Sequence, residues 1–165
     1  MDYNAMRAEI LNGPKAADCA AFAVTNEAPK DPDYKAKDQA VADLLNVDRA
    51  PKIVSKEVGD GAISLALGIP AGPVFLLQLE MLAATEITPQ SAPEQVAAVA
   101  VARQAWRSLN RAGFDVGSPS VRAGLDMFVG TLLTAEQAAT IKALAEVPDV
   151  VTSADVSRAL RGPLE

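Results

Sequence analysis

Residues 62–84, AISLALGIPAGPVFLLQLEMLAA, are almost continuously apolar, and any fold of this chain must find cover for them. The tract approaches the length of a bilayer span, so membrane insertion is the first alternative to weigh. Pro70, Gly72 and Pro73 interrupt it, and Gln78 and Glu80 place polar groups in its second half. Proline is tolerated in the first turn of a helix and disruptive farther in, so the tract predicts a helix starting near Pro73. A helix apolar all round is usually buried, so the expectation is a central core helix and no membrane span.

A chain of 165 residues can form one domain with a sizeable core and is too short for two large ones. Half of its residues are apolar but only seven are aromatic, so alanine, leucine and valine carry the packing and favour closely spaced helices. Residues 2–12 place Met6 and Ile10 on one stripe before a stop at Gly13, and Pro14 opens a short helix reaching about Val24. EAPKDP reads as a turn, with Asp31 and Pro32 as N-cap and first-turn proline of a helix through Asn46. KIVSKEV, near 52–58, is β-branched and partly alternating, and reads as extended loop or one small hairpin arm.

The second half is punctuated more clearly. Ser91 and Glu94 have capping-box spacing ahead of a long helix that should run to about Ala112 and stop at Gly113. Ser118 and Pro119 start a helix ending near Gly130, Thr134 and Gln137 repeat the capping box, and Thr152 or Ser153 opens a last helix carrying Val156, Ala159 and Leu160. The fold class expected is all-α, or nearly so, in a single domain. It would comprise N-terminal helices over 1–46, an extended loop over 47–61, central apolar helices over 62–112 and a compact C-terminal three-helix subdomain over 113–165.

The chemistry available is narrow. Histidine is absent and Cys19 is the only cysteine, which removes Ser-His, Cys-His and His-metal arrangements together. No carboxylate pair has defensible acid and base roles, so the expectation is a noncatalytic protein with no catalytic, cofactor-binding or metal-ligating residues and no cofactor. Cys19 reads as an inert buried thiol, and a single cysteine cannot form an intrachain disulfide, which fits assembly in a reducing compartment. Asp2 and Glu9 flank short apolar stretches, which is not the pattern of a signal peptide. Glu80 reads as a carboxylate at the rim of its helix, satisfied by Arg103 or Arg107.

Net charge is −6 and no segment is basic: residues 113–165 carry four basic and seven acidic groups. VTSADVSRAL has the look of a helix-turn-helix start, yet it offers only Arg158 and Arg161 to phosphates, so specific nucleic-acid binding is not expected. GDGAISLALG has three glycines without a P-loop lysine or GxGxxG spacing, and so points to no nucleotide.

LNRAGFDVGSPSVRAGLDMFVG followed by LTAEQAATIKALAEVPDVVTSADVSRAL resembles a group of small proteins of poorly described role encoded among the structural genes of tailed bacteriophages and prophages. AEILNGP and DQAVADLLNVDR are similar to that group's opening. The similarity covers roughly two thirds of the chain by motif order and carries no active-site residues; the tract 62–84 is not typical of the group. The resemblance implies a virion structural component assembled in the bacterial host cytoplasm. Its place would be tail or neck, with a head decoration or head completion role as alternative and a small helical DNA-binding regulator as an alternative of another class. Its partners would be other virion structural proteins and further copies of itself in a symmetric assembly. Phe75, Leu76, Leu79 and Trp106 are the candidate partner interface, each with burial in the monomer core as the competing reading.

Overall fold

The computed structural model describes residues 1–22 and 32–162. Among them it contains nine helices: α1 (Tyr3–Asn12), α2 (Ala16–Ala20), α3 (Tyr34–Asn46), α4 (Asp60–Leu67), α5 (Ala71–Ala84), α6 (Pro93–Leu109), α7 (Pro119–Met127), α8 (Ala135–Ala143) and α9 (Ser153–Arg161). Four two-residue strands complete it: β1 (Lys52–Ile53), β2 (Glu57–Val58), β3 (Phe114–Asp115) and β4 (Glu146–Val147). The fold is thus nearly all-α. Asp31, most of the turn at 27–32 and the end of the second helix at Val24 lie outside the described residues, and Asp33 stands at the N-cap position of α3.

The chain divides into two compact units rather than one domain. A terminal unit joins Met1–Pro51 to Pro148–Glu165, and a central unit, Lys52–Val147, lies between these segments in the sequence. The expected C-terminal subdomain over 113–165 is therefore not formed. α7 and α8 belong to the central unit, while α9 packs on α3 and α1.

In the terminal unit, Met6 and Ile10 of α1, Cys19 of α2, Val41 and Leu45 of α3 and Val156 and Leu160 of α9 make one core. Asp2 caps α1 by accepting the N–H groups of Asn4 and Ala5, both at 3.0 Å. Lys15 Nζ reaches the end of α3, donating to Leu44 O at 2.9 Å and to Val47 O, where orphan carbonyls and the helix dipole favour a cation. Asn46 acts as a one-residue strand edge: its side chain donates to Val151 O and accepts from Val151 N, each at 2.8 Å. Arg49 bridges Asp149 and Glu9 at 2.8 and 2.9 Å. α9 opens with a full capping box between Thr152 and Asp155.

Asp38 is the one buried charged residue among those described. Arg161 of α9 pairs with it, donates to Ser157 Oγ at 3.0 Å and lies over the Tyr34 ring. Its Oδ1 has no hydrogen-bond partner among the described residues. Burial pushes the Asp38 carboxyl above its ordinary value in spite of the Arg161 charge and the hydrogen bonds from Arg161 and Ser157, which pull the other way.

In the central unit, α5 lies on α6 along the largest helix contact, and α4 crosses α5 where Gly72 meets Ser64; a Cβ on Gly72 would stand 2.5 Å from Ser64 Cα. The helix expected to start near Pro73 begins at Ala71 as α5, and Gly68, at φ 73°, ends a separate helix, α4, before it. Arg103 of α6 ties the pair, its guanidinium donating to Ala83 O at 2.9 Å and Thr85 O at 2.8 Å at the carbonyl end of α5. Ser91 does not cap α6. Its Oγ accepts the Thr88 N–H at 3.0 Å instead, and the helix starts on Pro93, whose fixed φ suits a first turn. The capping box at Thr134 and Gln137 forms as its spacing predicts, and Ser118 with Pro119 opens α7.

The stretch 52–58 is extended, and each end pairs antiparallel with a distant segment: β1 with β4, Lys52 opposite Val147, and β2 with β3, Glu57 opposite Asp115. Two glycines permit the second pairing. A Cβ on Gly113 would lie 2.5 Å from Val58 O and one on Gly117 2.0 Å from Val54 O, and Gly113 also holds φ 94°. Asp115 closes the arrangement, accepting from Ser55 Oγ, Lys56 N and Gly117 N, and these hydrogen bonds hold its carboxyl below the ordinary value.

Gly113→Ala should destabilise the central unit by about 2 kcal/mol or more, because it adds left-handed strain to a backbone clash; thermal unfolding followed by circular dichroism checks this. For Asp38, whose folded-state pKa is raised, the unfolded chain loses its proton first. Its contribution to stability therefore falls as pH rises from the ordinary Asp value through the raised one. Denaturant unfolding of wild type and Asp38→Asn across that window should show the wild-type advantage shrinking as pH rises.

Candidate assembly surface

Because α5 is apolar apart from Gln78 and Glu80, its neighbours decide which of its apolar residues face inward. Gly72, Phe75, Leu79 and Ala83 form the buried face. Phe75 is 2% and Leu79 1% exposed, so these two members of the expected partner interface are core residues. Leu76 and Trp106 are half-buried against the same core and do not form an open surface with them. The face that reaches solvent carries Val74, Leu77 and Met81, with Leu77 56% and Met81 64% exposed, flanked by the exposed polar residues Gln78 and Glu80. By helical spacing these three stand on one stripe, about opposite the buried face. Leu65 at the end of α4 and Ile69 in the following turn are 85% and 92% exposed.

A second apolar feature lies across α6. Ala100, Val101, Gln104 and Ala105 of α6 and Val121 and Gly124 of α7 border an open groove of about 630 Å³ floored by Phe114, Leu125 and Phe128. No charged side chain lines it. Small residues make the space: a Cβ on Gly124 would meet only Val101 Cγ1, at 3.5 Å.

Trp106 borders a smaller depression of about 280 Å³ with Glu80, Arg103 and Arg107. Glu80 is exposed and, among the described residues, makes no ion pair, so the pairing expected with Arg103 or Arg107 is not formed. Arg103 is spent on the carbonyls of Ala83 and Thr85. Cys19 is fully buried, and burial, followed by the nearby charges of Asp18 and Glu9, raises its thiol pKa, so it stays protonated. Among the described residues no cluster of three or more Cys, Asp or Glu could hold a metal ion, and no helix is long and apolar enough to cross a membrane.

Comparison with protein-family models, curated proteins and solved structures finds no match to this chain.

Sequence periodicity does not single out the outward stripe, because apolar residues surround α5 and only Gln78 and Glu80 give it contrast. Gly72 is the available signal, since the smallest residue marks where another backbone crosses and hence which side faces in. Leu79→Ala should cost about 3 kcal/mol of stability, as a buried truncation does, whereas Leu77→Ala should stay within about 0.5 kcal/mol; chemical denaturation of the two variants measures the difference.

Proposed function

We propose that this protein is a noncatalytic assembly component, a structural protein of a tailed-bacteriophage virion associated with the tail or neck. The observation that supports an assembly role is the exposure of five large aliphatic side chains, Leu65, Ile69, Val74, Leu77 and Met81, on and beside α5. Monomeric proteins scatter single apolar residues over their surfaces, but a helical stripe of them marks a contact with another macromolecule. The virion assignment rests on the resemblance of residues 109–160 to the phage structural-region group. The acidic balance of the chain, −6 overall, suits a subunit that stays dispersed before assembly and offers no electrostatic footprint for nucleic acid.

Mass spectrometry of purified particles from the encoding phage or prophage, separated into heads and tails, tests this reading. The chain is expected in tails. Recovery in heads would replace the tail role by decoration or completion, and absence from both would overturn the virion assignment.

A further inference from the structure

We infer that the Asp60–Gly61 step at the start of α4 is a site of spontaneous covalent modification, where the chain closes to a succinimide and reopens to isoaspartate. The inference is independent of the assembly and virion readings above.

Two peptide bonds of the chain join Asn or Asp to glycine, Asn12–Gly13 and Asp60–Gly61. Imide closure meets least hindrance at such steps, because glycine sets no Cβ beside the nitrogen that must attack the side-chain carbonyl carbon. Asparagine is ordinarily the faster of the pair, since an ionised carboxylate resists attack. The fold holds back the first step and leaves the second open.

At the end of α1, Gly13 N donates to Glu9 O at 2.9 Å, and a Cβ on Gly13 would stand 2.3 Å from the same oxygen. The nitrogen cannot turn toward the Asn12 side chain without breaking that hydrogen bond. At the start of α4 the attacking nitrogen is already beside its target: Gly61 N donates to Asp60 Oδ1 at 2.7 Å, and the carbon to be attacked is the one that carries this oxygen. Among the described residues no backbone carbonyl accepts the Gly61 N–H, which is one of the first-turn donors that a helix leaves without a partner. Asp60 and Gly61 are both exposed, and a Cβ on Gly61 would meet nothing within 4 Å, so the ring has room and water has access. Glycines at 59 and 61 flank Asp60 and let the peptide turn into the ring.

In the closing step Gly61 N bonds to Asp60 Cγ, and the amide proton and one proton from solvent leave with a carboxylate oxygen as water. Water then adds to either imide carbonyl. Breaking the bond from nitrogen to Cγ restores aspartate. Breaking the bond from nitrogen to the Asp60 backbone carbon leaves that carbon as a free carboxylate and routes the main chain through Cγ. Nothing is oxidised or reduced, and the product has the mass and charge of the starting chain. It carries an extra main-chain carbon between Val58 of β2 and Ile63, both buried, so the start of α4 must be rebuilt around it. The freed carboxylate is the group that an isoaspartate-specific methyltransferase esterifies from S-adenosylmethionine.

The test is to incubate the full chain for weeks at neutral pH and physiological temperature, native and in guanidinium chloride. Peptide mapping with electron-transfer fragmentation, and labelled methyl transfer by such a methyltransferase, locate the isoaspartate. It should accumulate at 60 at least as fast in the native chain as in the unfolded one. Deamidation at Asn12 should be slower in the native chain by about tenfold or more, because it waits on local opening of the helix end. Gly61→Ala has space for its methyl group and should lower the rate at 60 severalfold; Asp60→Asn should raise it, with ammonia leaving in place of water. Circular dichroism confirms that both variants are folded. A native chain without isoaspartate at 60, or one that forms it more slowly than the unfolded chain, would overturn the inference. So would a Gly61→Ala chain that isomerises like wild type or an Asp60→Asn chain that keeps its amide.

Discussion

The antiparallel pairing of Lys52–Ile53 with Glu146–Val147 decides how the rest of the chain is arranged. It brings the two ends of the central unit side by side, so that the flanking segments continue into a shared second core. Two-residue strands cannot hold such a closure alone, since the loop entropy to be offset grows with the logarithm of loop length. Neighbouring contacts supply the remainder: Val54 N donates to Ala145 O at 2.9 Å, Arg122 of α7 reaches Lys142 O and Glu146, and Ala145 is fully buried. The ladder is thus less a sheet than a clasp on a helical core.

Much of this architecture is written locally. Thr134 with Gln137 and Thr152 with Asp155 specify helix starts by side-chain hydrogen bonds within four residues, and these are formed as their spacing implies. Ser91 had the same spacing and failed because Pro93 offered a competing start two residues later. Nothing local marks the clasp. β1 and β4 are two residues each, too short for an alternation to register, and their pairing depends on position in three dimensions. The assignment of α9 failed for the same reason. Short connections suggest that successive helices are neighbours, but β4 turns the chain out of the central core just before Pro148, and Val156 and Leu160 find Val41 and Leu45 instead. The glycines at 113 and 117 were visible, the first as a helix stop, but the backbone each admits lies more than fifty residues earlier.

The candidate surface was legible as a segment and not as residues. That the tract around 62–84 matters follows from composition alone. Which of its leucines meet water follows from where α4 crosses α5, a contact fixed by Gly72 against Ser64. Phe75 and Leu79 have the larger intrinsic appeal as anchors, yet a residue two or three positions away on the same helix faces the opposite environment. The groove had still less signature, being made by the absence of side-chain volume at Ala100, Ala105 and Gly124 rather than by any residue of distinctive chemistry.

The split composition of the terminal unit has a consequence for biosynthesis. A ribosome delivers α1, α2 and α3 first, then the whole of the central unit, and only afterwards α9. During that interval the central unit can complete its own core, while Met6, Ile10, Val41 and Leu45 await Val156 and Leu160. The nascent chain therefore carries an exposed apolar face through most of its translation, a natural client surface for chaperones. The earliest-made helices are the last to complete their core.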